Sequence, residues 1–302
     1  MIKALYAHLK SESDSLTASL KTLGASVDKT FELYHLMLRL MVDVADYASR
    51  RIELGRAKRL PTPEELNPNR RFVDSALVAQ IAGSKPLGDY LAKRSLDWAG
   101  EQETVKVLYN ALSNTEFYRQ YMSTPHSDYR SDVHLAEQFY SQIVAESEQM
   151  EEVLEEWSLL WADDMDFALI MAMRTLSACR ADQFQLPLLP QFKNDDDRRF
   201  PGELFTASLT GYDEYMSYVE RFAKNWDVER IAFLDGLVMT AAIAELVSFP
   251  SIPVKVTLDE YIEISKYYST PSSCVFINGI LDKVVEELRS QGRITKSGRG
   301  LL

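Results

Sequence analysis

Along this 302-residue chain, apolar positions recur every three or four residues, and no stretch alternates with a period of two. That spacing predicts helices throughout and no strands. Ile2, Leu5, Tyr6 and Leu9 share one face of a helix over 1–10. A longer pattern, DKTFELYHLMLRLMVDVADYASRRIEL, repeats Phe31, Tyr34, Leu38, Met41, Val42 and Ala45 and opens on Asp28, which predicts a helix capped by that aspartate. The proline-bearing basic stretch at 55–71 predicts a loop. Two or three amphipathic helices are expected over 72–122, then a loop over 123–132. In EQFYSQIVAESEQMEEVLEEW, Phe139, Ile143, Met150, Val153 and Trp157 form a stripe beneath a strongly acidic face, which predicts one helix. After a second break at 184–202, helices are expected at about 203–224 and 227–247. Thr257, with Glu260 three residues on, predicts a capping box opening the next helix. STPSS at 269–273 ends that helix, with Ser272 or Ser273 capping the last one.

The final helix contains an apparent conflict. Phe276, Ile280, Val284 and Leu288 fall four apart, with Ile277, Leu281 and Val285 one step behind, so 274–288 reads as helix. Yet Asn278-Gly279, the dipeptide most typical of a tight turn, sits inside it. A glycine there costs roughly 1 kcal/mol against alanine, so the position calls for a reason.

Composition narrows the function classes. The net charge of −12 and pI near 4.9 argue against coating nucleic acid through global charge, though a local basic patch remains compatible. Two distant cysteines, Cys179 and Cys274, suggest neither a disulfide framework nor a thiolate metal site, and fit a reducing cytoplasm. No secretory apolar segment opens the chain, and no apolar run approaches the ~20 residues of a membrane span. The histidines His8, His35, His126 and His134 are scattered; Glu32 and His35 give a single Glu-x-x-His step without the second copy that a di-iron bundle needs. Phosphate-cradling glycine loops and G-x-S-x-G are absent. The expectation is a soluble, cytoplasmic protein that is not an enzyme and holds no metal or cofactor.

The segments NWDVERIAFLDGLVMTAAIAEL, IPVKVTLDEYIEISKYYS and FINGILDK resemble the NusB family of transcription antitermination factors. Trp226, Glu229, Arg230, Asp235, Ala242, Glu245, Pro253, Val256, Glu260, Glu263, Lys266, Phe276, Asn278, Gly279, Leu281 and Asp282 fall in register with that family's pattern, and KALY at 3–6 is similar to the end of its first-helix motif. The resemblance is carried by 203–288, extends to 1–50, and has no motif between 55 and 200. It implies an all-α, NusB-like fold of two packed helical bundles. Because the chain is about twice the usual family length, the expected division is a helical part over 1–54, a helical insertion over 55–200 with loops at 55–71 and 184–202, and a C-terminal bundle with a basic tail over 203–302.

The resemblance further implies a non-enzymatic factor that pairs with a ribosomal small-subunit protein acting as NusE. Together they would hold boxA-type single-stranded RNA within an RNA polymerase antitermination complex. By the same resemblance, Tyr6 and Asp235 lie on the protein-partner surface, Asp235 as an exposed charge. Tyr268 would stack on a base, with a hydroxyl or amide of Ser272, Ser273 or Asn278 placed to touch sugar or base edges alongside it. Gly279, lacking a Cβ, would let another helix or an RNA backbone come close.

The chain also departs from the family. Thr240 stands where an arginine is expected and Asp259 where an asparagine is, and only three residues precede the A-L-Y motif that an arginine-rich segment normally leads into. Phosphate contact would then fall to Lys3 and Lys266, to a basic patch of Arg50, Arg51, Arg56, Lys58 and Arg59, with Arg70 and Arg71 nearby, or to the tail residues Arg289, Arg293, Lys296 and Arg299. The alternative is a helical protein-interaction scaffold of NusB descent that has lost RNA binding.

Overall fold

A computed structural model describes residues 1–11, 15–124, 128–161, 163–223 and 231–297, without the side chains of Pro271 and Ser272. Among them all regular structure is helical, as the apolar spacing predicted. In chain order the α-helices are α1 (Ile2–Lys10), α2 (Leu16–Arg56), α3 (Pro63–Leu66), α4 (Ala76–Ala82), α5 (Lys85–Arg94), α6 (Gln102–Ser113), α7 (Glu116–Ser123) and α8 (Tyr129–Phe139). They continue with α9 (Glu148–Trp157), α10 (Met165–Ala178), α11 (Asp195–Thr210), α12 (Tyr212–Phe222), α13 (Phe233–Ser248), α14 (Val254–Tyr268) and α15 (Pro271–Ser290). They form two compact units: Met1–Ala25 with Phe192–Leu302, and Ser26–Gln191.

The first unit is organised around α13. Every residue from Asp235 to Leu246 is buried, and α1, α11, α12, α14 and α15 pack against it. A helix that is apolar on all sides is covered on all sides, and small residues allow it: a Cβ on Gly236 would come within 3.3 Å of Met216 Sδ on α12. Ile2, Leu5, Leu204, Phe205, Val219, Tyr261, Ile277 and Leu281 complete this core.

The second unit is built on α2, whose Leu33, Tyr34, Met37, Leu40 and Met41 meet Trp98, Leu108, Phe139, Tyr140 and Leu169. This explains why the division falls at 25/26 and 191/192, not at 54/55 and 200/203: the apolar stripe of 33–48 supplies the second core.

Several local expectations are corrected. The stripe of α2 continues upstream through Leu16, Leu20 and Leu23, so Asp28 lies inside the helix and caps nothing. The loop at 55–71 includes α3, closed by a reciprocal Thr62–Glu65 capping box. Four helices, α4 to α7, occupy 72–122, and Asp128 caps α8 inside the expected loop. The acidic stripe is two helices: a π-turn at Tyr140–Val144 follows α8, and Ser147 caps α9. Tyr140 explains the interruption, because it is fully buried and donates its hydroxyl to the Met37 carbonyl at 2.6 Å. Helix α11 starts inside the expected 184–202 break, where Asn194 caps it and Asp195, Asp196 and Asp197 favour its first turn. Thr257 is a buried interior residue of α14, which begins after Pro253, and Thr270 caps α15 in place of Ser272 or Ser273.

His35 is a core residue. Its ring stacks on Tyr90 at 3.7 Å between centroids, and its Nδ1 lies 2.8 Å from the Phe31 carbonyl. Burial lowers its pKa from 6.5 to about 4, and the Arg94 charge adds to the effect against the Phe31 carbonyl. The folded chain therefore keeps His35 neutral while the unfolded chain protonates it below pH 6.5, so stability present above that pH is lost as pH falls toward 4. Urea unfolding at pH 7 and pH 5 should show the native chain losing about 2 kcal/mol more than His35→Phe over that interval.

Candidate functional site

In the first unit, α1 presents Lys3, Tyr6 and Lys10 along one exposed side. Tyr6 is 41% exposed and meets Phe233 edge-on at 5.6 Å, while Lys10 Nζ lies 4.3 Å over the Phe233 ring. Phe233 opens α13, and Asp235 follows two residues later. The Ser269 hydroxyl, just past the end of α14, donates to Asp235 Oδ1. Thr270 then caps α15 by accepting from Ser273 N–H at 3.3 Å. Tyr6 and Lys10 thus meet Phe233 at the start of α13, whose first turn Asp235 ties to the α14–α15 corner.

At the corner, Lys266 is exposed and paired with Glu263, which raises its pKa. Tyr267 is exposed, while Tyr268 is half-buried against the core. Ser273 is half-buried, its hydroxyl 3.0 Å from that of Thr270. Val275, Asn278, Gly279 and Asp282 are exposed on α15. A Cβ added at Gly279 would meet nothing within 4 Å. Packing within this unit is therefore not what holds glycine in the helix.

Lys3, Tyr6, Asp235, Lys266, Tyr268, Ser273 and Asn278 all belong to this unit; the side chain of Ser272, together with Trp226, Glu229, Arg230 and Arg299, lies outside the described residues. Asp235 is not the exposed charge that was expected. It is 4% exposed, drawn inward because α13 is wrapped from its first turn, and it ties that turn to Ser269.

The basic patch belongs to the second unit, and most of it is already engaged. Arg56 pairs with Glu53 at 3.5 Å, and Lys58 pairs with Glu65. Arg70 bridges Asp74 and Glu53. Arg50 and Arg51 donate to the neutral amides of Gln102 and Asn110 at 2.5 and 3.0 Å, and Arg59 is exposed with no partner among the described residues. In the tail, Arg293 pairs with Glu214 and meets the Tyr218 hydroxyl at 3.0 Å. Lys296 donates to the Phe249 carbonyl at 3.0 Å, and burial lowers its pKa. Both brace the fold.

Sequence reasoning did not single out Phe233 or Tyr267. It met Glu245 only as part of a motif, whereas this buried carboxylate accepts from the Tyr261 hydroxyl at 3.2 Å and burial raises its pKa. An acid at the end of the apolar run from Leu237 to Leu246 was the available signal. Among the described residues no group of three His, Cys, Asp or Glu side chains could hold a metal ion, and no helix is long and apolar enough to cross a membrane.

A family model described as the NusB family matches residues 167–286, beginning in α10, upstream of the motifs. A transcription antitermination protein NusB from Salinibacter ruber is 40% identical over 114 residues, 38% of this chain and 71% of that protein. A second, from Chloroherpeton thalassium, is 44% identical over 33% of this chain and 47% of its own length. A third, from Thermodesulfovibrio yellowstonii, is 34% identical over 32% of this chain and 63% of its own length. The chain thus spans less than two thirds of the latter two. No solved structure matches it.

Removing the Ser269 hydroxyl leaves a buried carboxylate short of a donor, so Ser269→Ala should destabilise the first unit by about 1–3 kcal/mol in denaturant titrations. Asp235→Lys should cost about 3–5 kcal/mol, because it buries an unpaired cation.

Proposed function

The chain belongs to the NusB family, and from that premise we propose that it is a transcription antitermination factor. In this reading its first unit holds boxA-type single-stranded RNA together with a ribosomal small-subunit protein acting as NusE, in a complex with RNA polymerase. The observation that carries the reading is Gly279. A mid-helix glycine lowers helix stability, nothing in its own unit fills the space, and the exposed amide of Asn278 stands beside it. A ligand backbone approaching α15 from outside accounts for the pair.

Tyr268 supplies the stacking ring at the corner, and Ser272, Ser273 and Asn278 supply polar contacts to sugar and base edges. Tyr6, with Phe233 and Lys10, forms the surface for the protein partner. Asp235 serves that surface by holding Ser269 and the corner in place. Within the first unit, phosphates are met by Lys3 and by Lys266, the latter exchanging Glu263 for a phosphate. In the second unit, Arg50, Arg51 and Arg59 are the patch cations with neutral partners or none among the described residues. Arg56 and Lys58 contribute only by exchanging a carboxylate for a phosphate.

Fluorescence anisotropy with boxA-type RNA, with and without the ribosomal protein, tests this reading. Tyr268→Ala should weaken RNA binding roughly 5- to 150-fold, the equivalent of losing one stacked base at about 1–3 kcal/mol, while the protein complex persists. Gly279→Ala should raise stability by about 1 kcal/mol and still weaken binding. The salt dependence should be shallow, at about −0.7 in log–log slope per phosphate neutralised. Undiminished binding by Gly279→Ala would remove α15 from the interface. A chain that takes the ribosomal protein but no RNA would instead be the scaffold, the reading favoured by the internal pairing of Arg56, Lys58 and Arg70.

A further inference from the structure

A second surface lies in the other unit, on α9, α10 and the turn between them. Leu159 is 80% exposed and Phe167 53%, and Leu160 and Ile170 are exposed beside them in sequence. Phe167 and Ile170 share the outer face of α10, whose inner face is buried through Met165, Ala168, Leu169, Ala172 and Leu176. Four large apolar side chains are thus exposed within a dozen residues, where an ordinary surface scatters them singly.

The turn that presents the leucines is held firmly. Trp161 is buried and donates its indole N–H to the Lys29 carbonyl at 2.7 Å, and its backbone N–H bonds the Ser158 carbonyl at 2.8 Å. Trp157 donates to Glu101 at 3.0 Å. Leu159 and Leu160 therefore project from an anchored turn, which limits the entropy lost on binding.

The charge on α9 has one sign. Glu148, Glu151, Glu152, Glu155 and Glu156 on α9 make no ion pair or hydrogen bond among the described residues, and like charges at i,i+4 repel. Asp166 sits beside Phe167. The nearby cations do not offset this: Lys29 is paired with Glu32 at 2.6 Å, and only Arg174, one turn past Ile170, shares the exposed face.

We propose that this face docks an amphipathic helix rich in lysine or arginine from a partner protein. Its apolar side would cover Phe167, Ile170 and the two leucines while its cations meet the glutamates of α9. Phosphate-bearing ligands are repelled by the same charge, so this is a protein surface distinct from the RNA reading of the first unit.

The probe is a fluorescein-labelled Leu/Lys helix of about 18 residues, five turns long, titrated with the full chain at physiological salt. Its Leu/Glu counterpart is the control. Wild type should bind the Leu/Lys helix and not the control. Phe167→Ser with Ile170→Ser, and separately Glu151→Gln with Glu152→Gln, Glu155→Gln and Glu156→Gln, should each weaken binding about tenfold or more. The glutamine set should not lower the melting temperature, since it relieves repulsion between exposed like charges, and the serine pair should leave the chain folded, since neither side chain belongs to the buried core. Equal binding by wild type and both variants, no binding by wild type, or equal binding of the control overturns the proposal. So does sedimentation showing a dimer that the Phe167/Ile170 variant dissolves, because the occupant would then be a second copy.

Discussion

The complete burial of α13 is the constraint on which the first unit depends. From Asp235 to Leu246 this helix has no face for water, so α1, α11, α12, α14 and α15 must close around it. Each buried aliphatic residue contributes about 1.5–3 kcal/mol, and the helix could not persist half-covered. The same burial brings two acids inside, one near each end. Asp235 is satisfied by Ser269 and Glu245 by Tyr261, so both become ties between α13 and the α14–α15 pair. The position of the corner, and with it Tyr268, Ser273 and Asn278, follows from those ties.

Much of this was legible in the chain. Helical spacing alone predicted an all-helical fold, and the spacing of Phe276, Ile280, Val284 and Leu288 outweighed the turn signal of Asn278-Gly279. Boundaries were less legible, because caps compete locally. Thr257 and Glu260 satisfy the capping pattern, but the apolar stripe and Pro253 start α14 a turn earlier. The π-turn at Tyr140 depends on a hydrogen bond to Met37, far away in sequence, and no local pattern encodes it. The two-unit division was hidden for a similar reason: α2 is one uninterrupted helix whose two ends serve different cores.

The candidate site was legible in identity more than in environment. The motif register selected the residues of the corner, but it could not tell that Asp235 would be buried or that Arg56, Lys58 and Arg70 would be offset by Glu53, Glu65 and Asp74. Charge state in a fold depends on neighbours brought from elsewhere, and a linear pattern of basic residues overstates the field they exert. The acidic stretch of α9 errs in the other direction. It reads as an ordinary solvated face until the structure shows that its glutamates have no partner among the described residues and that the turn following α9 exposes Leu159.

The central claim, that the α14–α15 corner of the first unit meets RNA, is tested most directly by ultraviolet cross-linking. BoxA-type RNA would be cross-linked to the full chain in the presence of the small-subunit ribosomal protein, and the adducts mapped by mass spectrometry. The account predicts adducts within residues 266–279, centred on Tyr267 and Tyr268. Adducts confined to residues 26–191, or none at all under conditions where the two proteins associate, would contradict it.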